Sequence, residues 1–161
     1  GFVSNITAFK SDSATNLYGN QFTVNYPIAV NGLWWIPSTL TANGAFKLNL
    51  RKSDGSVIVE TAEQDSDQFI VSVPFVLPIT ETVLPAGTYM VTVEPTTTNT
   101  VALPYWYHYS ANYLYQVIDS GWVQVQRTSA GAYSTTANQL TMIGIQVSKI
   151  WAGSGGFSVV Q

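Results

Sequence analysis

The sequence predicts an all-β fold, an antiparallel β-sandwich of jelly-roll-like form with about ten strands. Three observations carry this. Apolar and polar residues alternate with period two through much of the chain, as they do in strands with one buried face. Turn signals recur about every 8 to 12 residues, the spacing of sandwiches and barrels. The one segment long enough for a helix, residues 140–151, is filled with Thr141, Ile143, Ile145, Val147 and Ile150, whose β-branched side chains favour strand.

The elements follow in chain order. Residues 21–26 and 28–35 read as two strand segments bent at Pro27. Residues 45–51 set Phe46, Leu48 and Leu50 on one face against Lys47, Asn49 and Arg51 on the other. Asp54-Gly55 then supplies a hairpin turn, because both residues accept positive φ, and residues 56–61 form the return strand. Residues 68–77 read as one long strand interrupted at Pro74, and a proline inside a run marks an edge or a bulge. Leu84-Pro85-Ala86-Gly87-Thr88 is a turn feeding Tyr89, Val91 and Val93. The C-terminal half adds strands at residues 105–109, 113–118, 122–127, 140–151 and 157–160. Loops are expected at residues 11–16, 63–67, 96–100, 128–138 and 152–156.

Composition bounds what such a fold does. The chain has 161 residues, 46% hydrophobic and 13% aromatic, which excludes intrinsic disorder. One core suffices at this length without disulfides, so a single domain over residues 1–161 is expected. A chain that opens at Gly1 rather than Met, with no signal-peptide pattern, is expected to be a processed product, a tagged chain or a piece of a longer one. Only 9% of residues are charged, against roughly 25% in ordinary soluble domains, and Thr, Ser, Asn and Gln take their place. The absence of Cys removes thiolate metal sites, iron-sulfur clusters and thiol nucleophiles. Six basic residues against nine acidic ones, with Arg51-Lys52 the only adjacent cations, make nucleic acid a poor partner. The long uncharged stretches, residues 95–118 and 128–148, are too rich in hydroxyl and amide side chains to span a membrane.

Phe22-Thr23-Val24, then Pro27-Ile28 with Val30 and Leu33, then Leu48-Asn49-Leu50-Arg51 with Asp54-Gly55, and finally Leu84-Pro85-Ala86-Gly87-Thr88-Tyr89 form a recurring pattern. It resembles the jelly-roll-like β-sandwich accessory modules of phage virion proteins and bacterial secreted proteins, over about residues 20–94. The resemblance implies a fold and a virion or extracellular setting. Every matching element is a turn or a strand face, so it carries no catalytic residue across.

The most unusual segment is residues 104–115, Pro-Tyr-Trp-Tyr-His-Tyr-Ser-Ala-Asn-Tyr-Leu-Tyr. As a strand it sets Tyr105, Tyr107 and Tyr109 on one face and Trp106 and His108 on the other, and Tyr113 and Tyr115 share a face of the next strand. Three readings stand open: a core with a cross-strand aromatic ladder, a protein interface, or a sugar site whose rings stack on pyranose C–H faces. His108, the single histidine, reads as packed or hydrogen-bonded rather than catalytic. Trp34 and Trp35 point to opposite faces, so one belongs to the core and the other is exposed or covered by a neighbour. Trp122 and Trp151 fit either place. Glu60, Glu63, Asp65 and Asp67 form the only acidic cluster. Of these, Glu63, Asp65 and Asp67 are the Ca2+ candidates, with solvated loop carboxylates as the alternative and no EF-hand pattern.

Enzymatic signatures are sparse. There is one His, no Cys and no Gly-x-Ser-x-Gly, and residues 152–156 lack the Lys and helix of a phosphate loop. Hydrolysis by paired carboxylates needs two acids across a cleft, and most of the few acids here fall in turns or one loop. Asn5-Ile6-Thr7 is a glycosylation sequon, which matters only in a eukaryotic secretory setting.

The expected protein is therefore a structural or adhesive module without enzymatic activity or cofactor. It engages other protein subunits, as a homo-oligomer, in a virion or extracellular assembly. The alternative is a carbohydrate-binding module using residues 105–115. The low charge supports assembly: a free monomer usually carries more charge, and with four Lys only Pro27 and Pro74 stand ready to guard open sheet edges.

Overall fold

The computed structural model describes residues 2–11, 17–37, 39–40, 44–70, 73–96, 101–108, 122–127, 131–137, 139–151 and 158–159. Fifteen strands form there, ten of them four residues or longer. They are β1 (Phe2–Ser11), β2 (Leu17–Val24), β3 (Ile28–Trp35), β4 (Thr39–Leu40), β5 (Ala45–Lys52), β6 (Val57–Glu60), β7 (Gln64–Asp65) and β8 (Phe75–Leu84). After these come β9 (Gly87–Pro95), β10 (Val101–His108), β11 (Val123–Arg127), β12 (Ser134–Thr136), β13 (Gln139–Thr141), β14 (Ile143–Ile150) and β15 (Ser158–Val159).

All pairings are antiparallel, and four of them nest: β1 with β10, β2 with β9, β3 with β8, β5 with β6. A ribbon paired first with last and then inward is the jelly-roll arrangement. One sheet runs β12-β11-β2-β9-β5-β6. Facing it are two four-stranded sheets, β15-β14-β3-β8 and β1-β10-β13 with β4 paired to β10, which meet where β13 runs through Met142 into β14. The fold is thus an all-β sandwich.

The period-two pattern puts the core where the alternation predicts. Phe22, Val24, Phe46, Leu48, Leu50, Val91 and Val93 pack against Ile28, Val30, Leu33, Trp35, Leu84 and Ile143. Each such side chain contributes about 1.5–3 kcal/mol on burial. Trp35 is fully buried, with Phe46 at 4.5 Å and Phe69 at 5.2 Å between ring centroids. Phe22 stacks on Trp122 at 4.5 Å.

Two turns behave as their residues dictate. Gly55 takes φ 94°, and the Asp54 carboxylate accepts from Ser56 N and Oγ, which holds it below the usual carboxylate range. After β8 the Tyr89 hydroxyl donates to the Pro85 carbonyl at 2.6 Å, closing the Leu84-to-Tyr89 motif onto its own turn, while burial pushes the phenol pKa up.

Several boundaries differ from the sequence expectation. Residues 68–77 are not one strand. The Asp65 carboxylate caps a 3-10 turn at Ser66–Gln68, and the strand runs from Phe75 to Leu84 instead. The segment 140–151 is two strands, because the chain bends at Met142. Asn20 reaches across from the facing sheet to that bend. Its Nδ2 donates to the Thr141 and Ile143 carbonyls at 2.6 and 2.8 Å, and its Oδ1 accepts from Thr141 N at 2.9 Å. A buried side chain thus serves backbone groups that the bend takes out of the ladder. Strands β1, β4, β7 and β12 form in segments where none was expected, and the strand expected at residues 113–118 lies outside the described residues.

The sheet edges are guarded from within the chain. Along β8, Pro78 lacks a donor, and the register slips so that the residues between Pro78 and Thr82 face only Asn31. Strand β6 has four residues and a slip against β5, β12 has three residues and β15 two, and β1 carries a slip between Val3 and Thr7. Pro27 and Pro74 lie just before β3 and β8, not within them.

Candidate functional site

A sandwich has two outer faces, and here they are opposites. On the β11-β2-β9-β5-β6 sheet many outward positions are covered, while at the β6 edge Val57 is 45% exposed. Leu17, Met90, Val125, Thr92 and Asn49 are fully buried, and Arg51 is 6% exposed. Part of the cover is visible: Tyr133, beside the β12 edge, lies against Gly55 in the β5–β6 turn, where an added Cβ would come within 2.7 Å of its ring. The Arg127 guanidinium lies 5.1 Å from the Tyr133 ring centroid.

Burying this face requires its polar groups to find partners. Arg51 Nε donates to Thr92 Oγ1 at 3.0 Å, Nη1 to the Gly55 carbonyl at 2.9 Å, and Nη2 to Asn49 Oδ1 at 3.0 Å. Asn49 Nδ2 donates to both Glu60 and Glu94, at 3.0 and 3.1 Å. Lys47 pairs with Glu60 at 3.0 Å, and that bond raises the lysine pKa. Glu94 stands 3.7 Å from the Arg51 guanidinium. The two glutamates therefore converge on one amide, but each is engaged by donors from β5. The arrangement ties β6, β5 and β9 together; it does not open a cleft between acids.

The outer face of β14, β3 and β8 is the reverse. Val76 is 52% exposed and Val83 56%, and Ile70 and Val73, on the approach to β8, are exposed as well. Trp34 stands in register between Gly144 and Val76, and Gly32 between Gln146 and Pro78. Both glycines are overlain by neighbouring side chains. An added Cβ on Gly144 would meet the Trp34 indole at 2.5–2.6 Å, and one on Gly32 would meet Gln146 Oε1 at 2.7 Å. The three strands carry one acid and one base, Glu81 and Lys149, 3.5 Å apart. Ser148 Oγ donates to Glu81 at 2.7 Å, and this bond, then the lysine charge, holds the carboxyl below its ordinary range.

The tryptophan pair divides as alternation requires, with Trp35 in the core and Trp34 half-buried on the open face. In the aromatic segment, β10 runs between β1 and β13, with Tyr105 opposite Thr7 and Thr141, Trp106 opposite Leu140, and Tyr107 opposite Val3 and Gln139. Tyr109, Tyr113 and Tyr115 lie outside the described residues. The calcium candidates are not gathered. Asp65 spends Oδ1 on Asp67 N, and among the described residues no three His, Asp or Glu side chains come together as metal ligands. Sequence reasoning missed Val76, Val83 and the Glu81–Lys149 pair. The signal was Pro78 inside an alternating run, which marks an edge strand.

No protein-family model, curated protein or solved structure matches this chain.

Proposed function

We propose that this chain is a non-enzymatic structural or adhesive module, a part of a virion or extracellular assembly that engages neighbouring chains through the open face of β14, β3 and β8. The observation that carries the reading is the exposure of Val76 and Val83 beside Trp34 on one outer sheet face. Water-facing valines in one strand cost hydrophobic free energy that a neighbour's surface recovers, and contiguous apolar patches with polar rims mark interaction sites. The resemblance of residues 20–94 to virion and secreted accessory modules supports the setting.

Light scattering after size exclusion tests it. The native chain is expected to assemble, and Val76→Asp to be monomeric with a melting temperature within about 2 °C of the parent. Assembly undisturbed by Val76→Asp would remove the face from the proposal.

The sugar-binding alternative has one observation of its own, the Trp34 indole covering Gly144 with the Gln146 amide diagonal to it. Rings and amides of this kind stack on and bond to pyranoses. Binding on a glycan array that Trp34→Ala abolishes would favour it.

A further inference from the structure

We propose that the occupant of the open face is a second copy of this chain, packed face to face about a two-fold axis, with Glu81 of each copy against Lys149 of the other. The inference rests on the open-face reading and names the partner.

Three features select a second copy. Gly32 and Gly144 lie in the middle of the face, each overlain by a neighbouring side chain, and sheet faces pack on one another about 10 Å apart. On the opposite outer face Leu17, Met90 and Val125 are buried and Val57 at the β6 edge is the one large apolar side chain exposed among the described residues, so the sheet face with several exposed apolar side chains is this one. The charges complete the case. The chain has net charge −3, so copies repel unless the contact itself is neutral or complementary. The open face carries one acid and one base side by side, 45% and 41% exposed. A two-fold axis makes such a patch complementary to itself, because a residue meeting its counterpart on the neighbour is met in return. The guarded edges of β8, β6 and β12 leave face packing rather than strand addition as the route.

Size sets the strength. Three strands of eight to ten residues cover about 25–30 Å by about 14 Å. A contact over that area buries about 400 Å² on each copy, roughly 800 Å² in all, below the range of stable specific interfaces, so the dimer is weak and concentration-dependent.

The test uses two charge variants, Glu81→Lys and Lys149→Glu, in sedimentation velocity from micromolar to near-millimolar protein. The native chain dimerises within that range. Each variant alone puts two like charges on the face and stays monomeric, with an unchanged circular dichroism spectrum because both residues are exposed. Mixed one to one, the all-basic and all-acidic faces pair, and the dimer returns. Assembly of the native chain that neither variant weakens, that the mixture does not restore, or that grows past a dimer overturns the two-fold contact while the open-face reading stands. A native chain monomeric throughout overturns both. Loss of self-association on adding a sugar that quenches Trp34 fluorescence would assign the face to glycan and also overturn the proposal.

Discussion

The two outer faces invert the usual arrangement of a sandwich. The face holding Arg51, Asn49, Glu60 and Glu94 is polar and largely buried, and the face holding Val76, Val83 and Trp34 is apolar and open. The difference shows that side-chain polarity along a strand does not report which side meets water: Arg51, Asn49 and Thr92 are buried while Val76 and Val83 are exposed. The covered face holds its polar groups in fixed partnerships, so substitutions there act on folding. The open face has few such partnerships, and substitutions there act on association.

The same change made on both faces gives the largest contrast. On the covered face, an alanine at Gly19 drives its Cβ into the Val91 carbonyl oxygen, backbone held between β2 and β5. Gly19→Ala is expected to cost about 3 kcal/mol or more, read as the midpoint of urea unfolding; a near-native midpoint would mean that the β2–β9 pair is not as close as described. Arg51→Ala follows, at about 2–3 kcal/mol, because Asn49 Oδ1, Thr92 Oγ1 and the Gly55 carbonyl each lose a donor while Glu94 is still partly solvated. If Arg51→Ala unfolds like the parent, the network is not a stabilising element.

On the open face, the atoms nearest an alanine Cβ at Gly144 belong to the Trp34 ring, a side chain rather than backbone. The expected cost is about 1 kcal/mol, with a red shift in tryptophan emission, and an effect as large as that of Gly19→Ala would erase the contrast. Ser148→Ala is the smallest change. It removes the hydrogen bond that lowers the Glu81 pKa, so the carboxyl midpoint should rise toward its ordinary 4.5 in an NMR titration. A lowered carboxylate adds stability above its unfolded pKa and loses it as pH falls through the folded one. The parent's acid limb should therefore show a larger Glu81 contribution than the variant's, which keeps only the Lys149 part, and identical titrations would show that Ser148 does not hold this carboxyl.

Much of the fold was legible because strand, turn and inward face are local properties. Phe46, Leu48 and Leu50 alternate and are buried, Asp54-Gly55 turns the chain as its φ requires, and Trp35 takes the core side of the tryptophan pair. The bend at Met142 was not legible, because nothing near Leu140 or Ile143 announces it; Asn20, far away in sequence, supplies the bonds that make it tolerable. The 3-10 turn after Asp65 hid among acids that looked like metal ligands, since a carboxylate that caps a turn and one that binds a cation have the same sequence signal.

By itself the sequence determined the all-β class, the inward faces and the scarcity of charge. Alternation and turn chemistry act over a few residues, and composition needs no geometry. Only the tertiary structure decided which outer face is covered, where the edge strand lies, and that Glu81 and Lys149 meet beside exposed valines. Those outcomes depend on pairings between residues tens of positions apart, which no local pattern records.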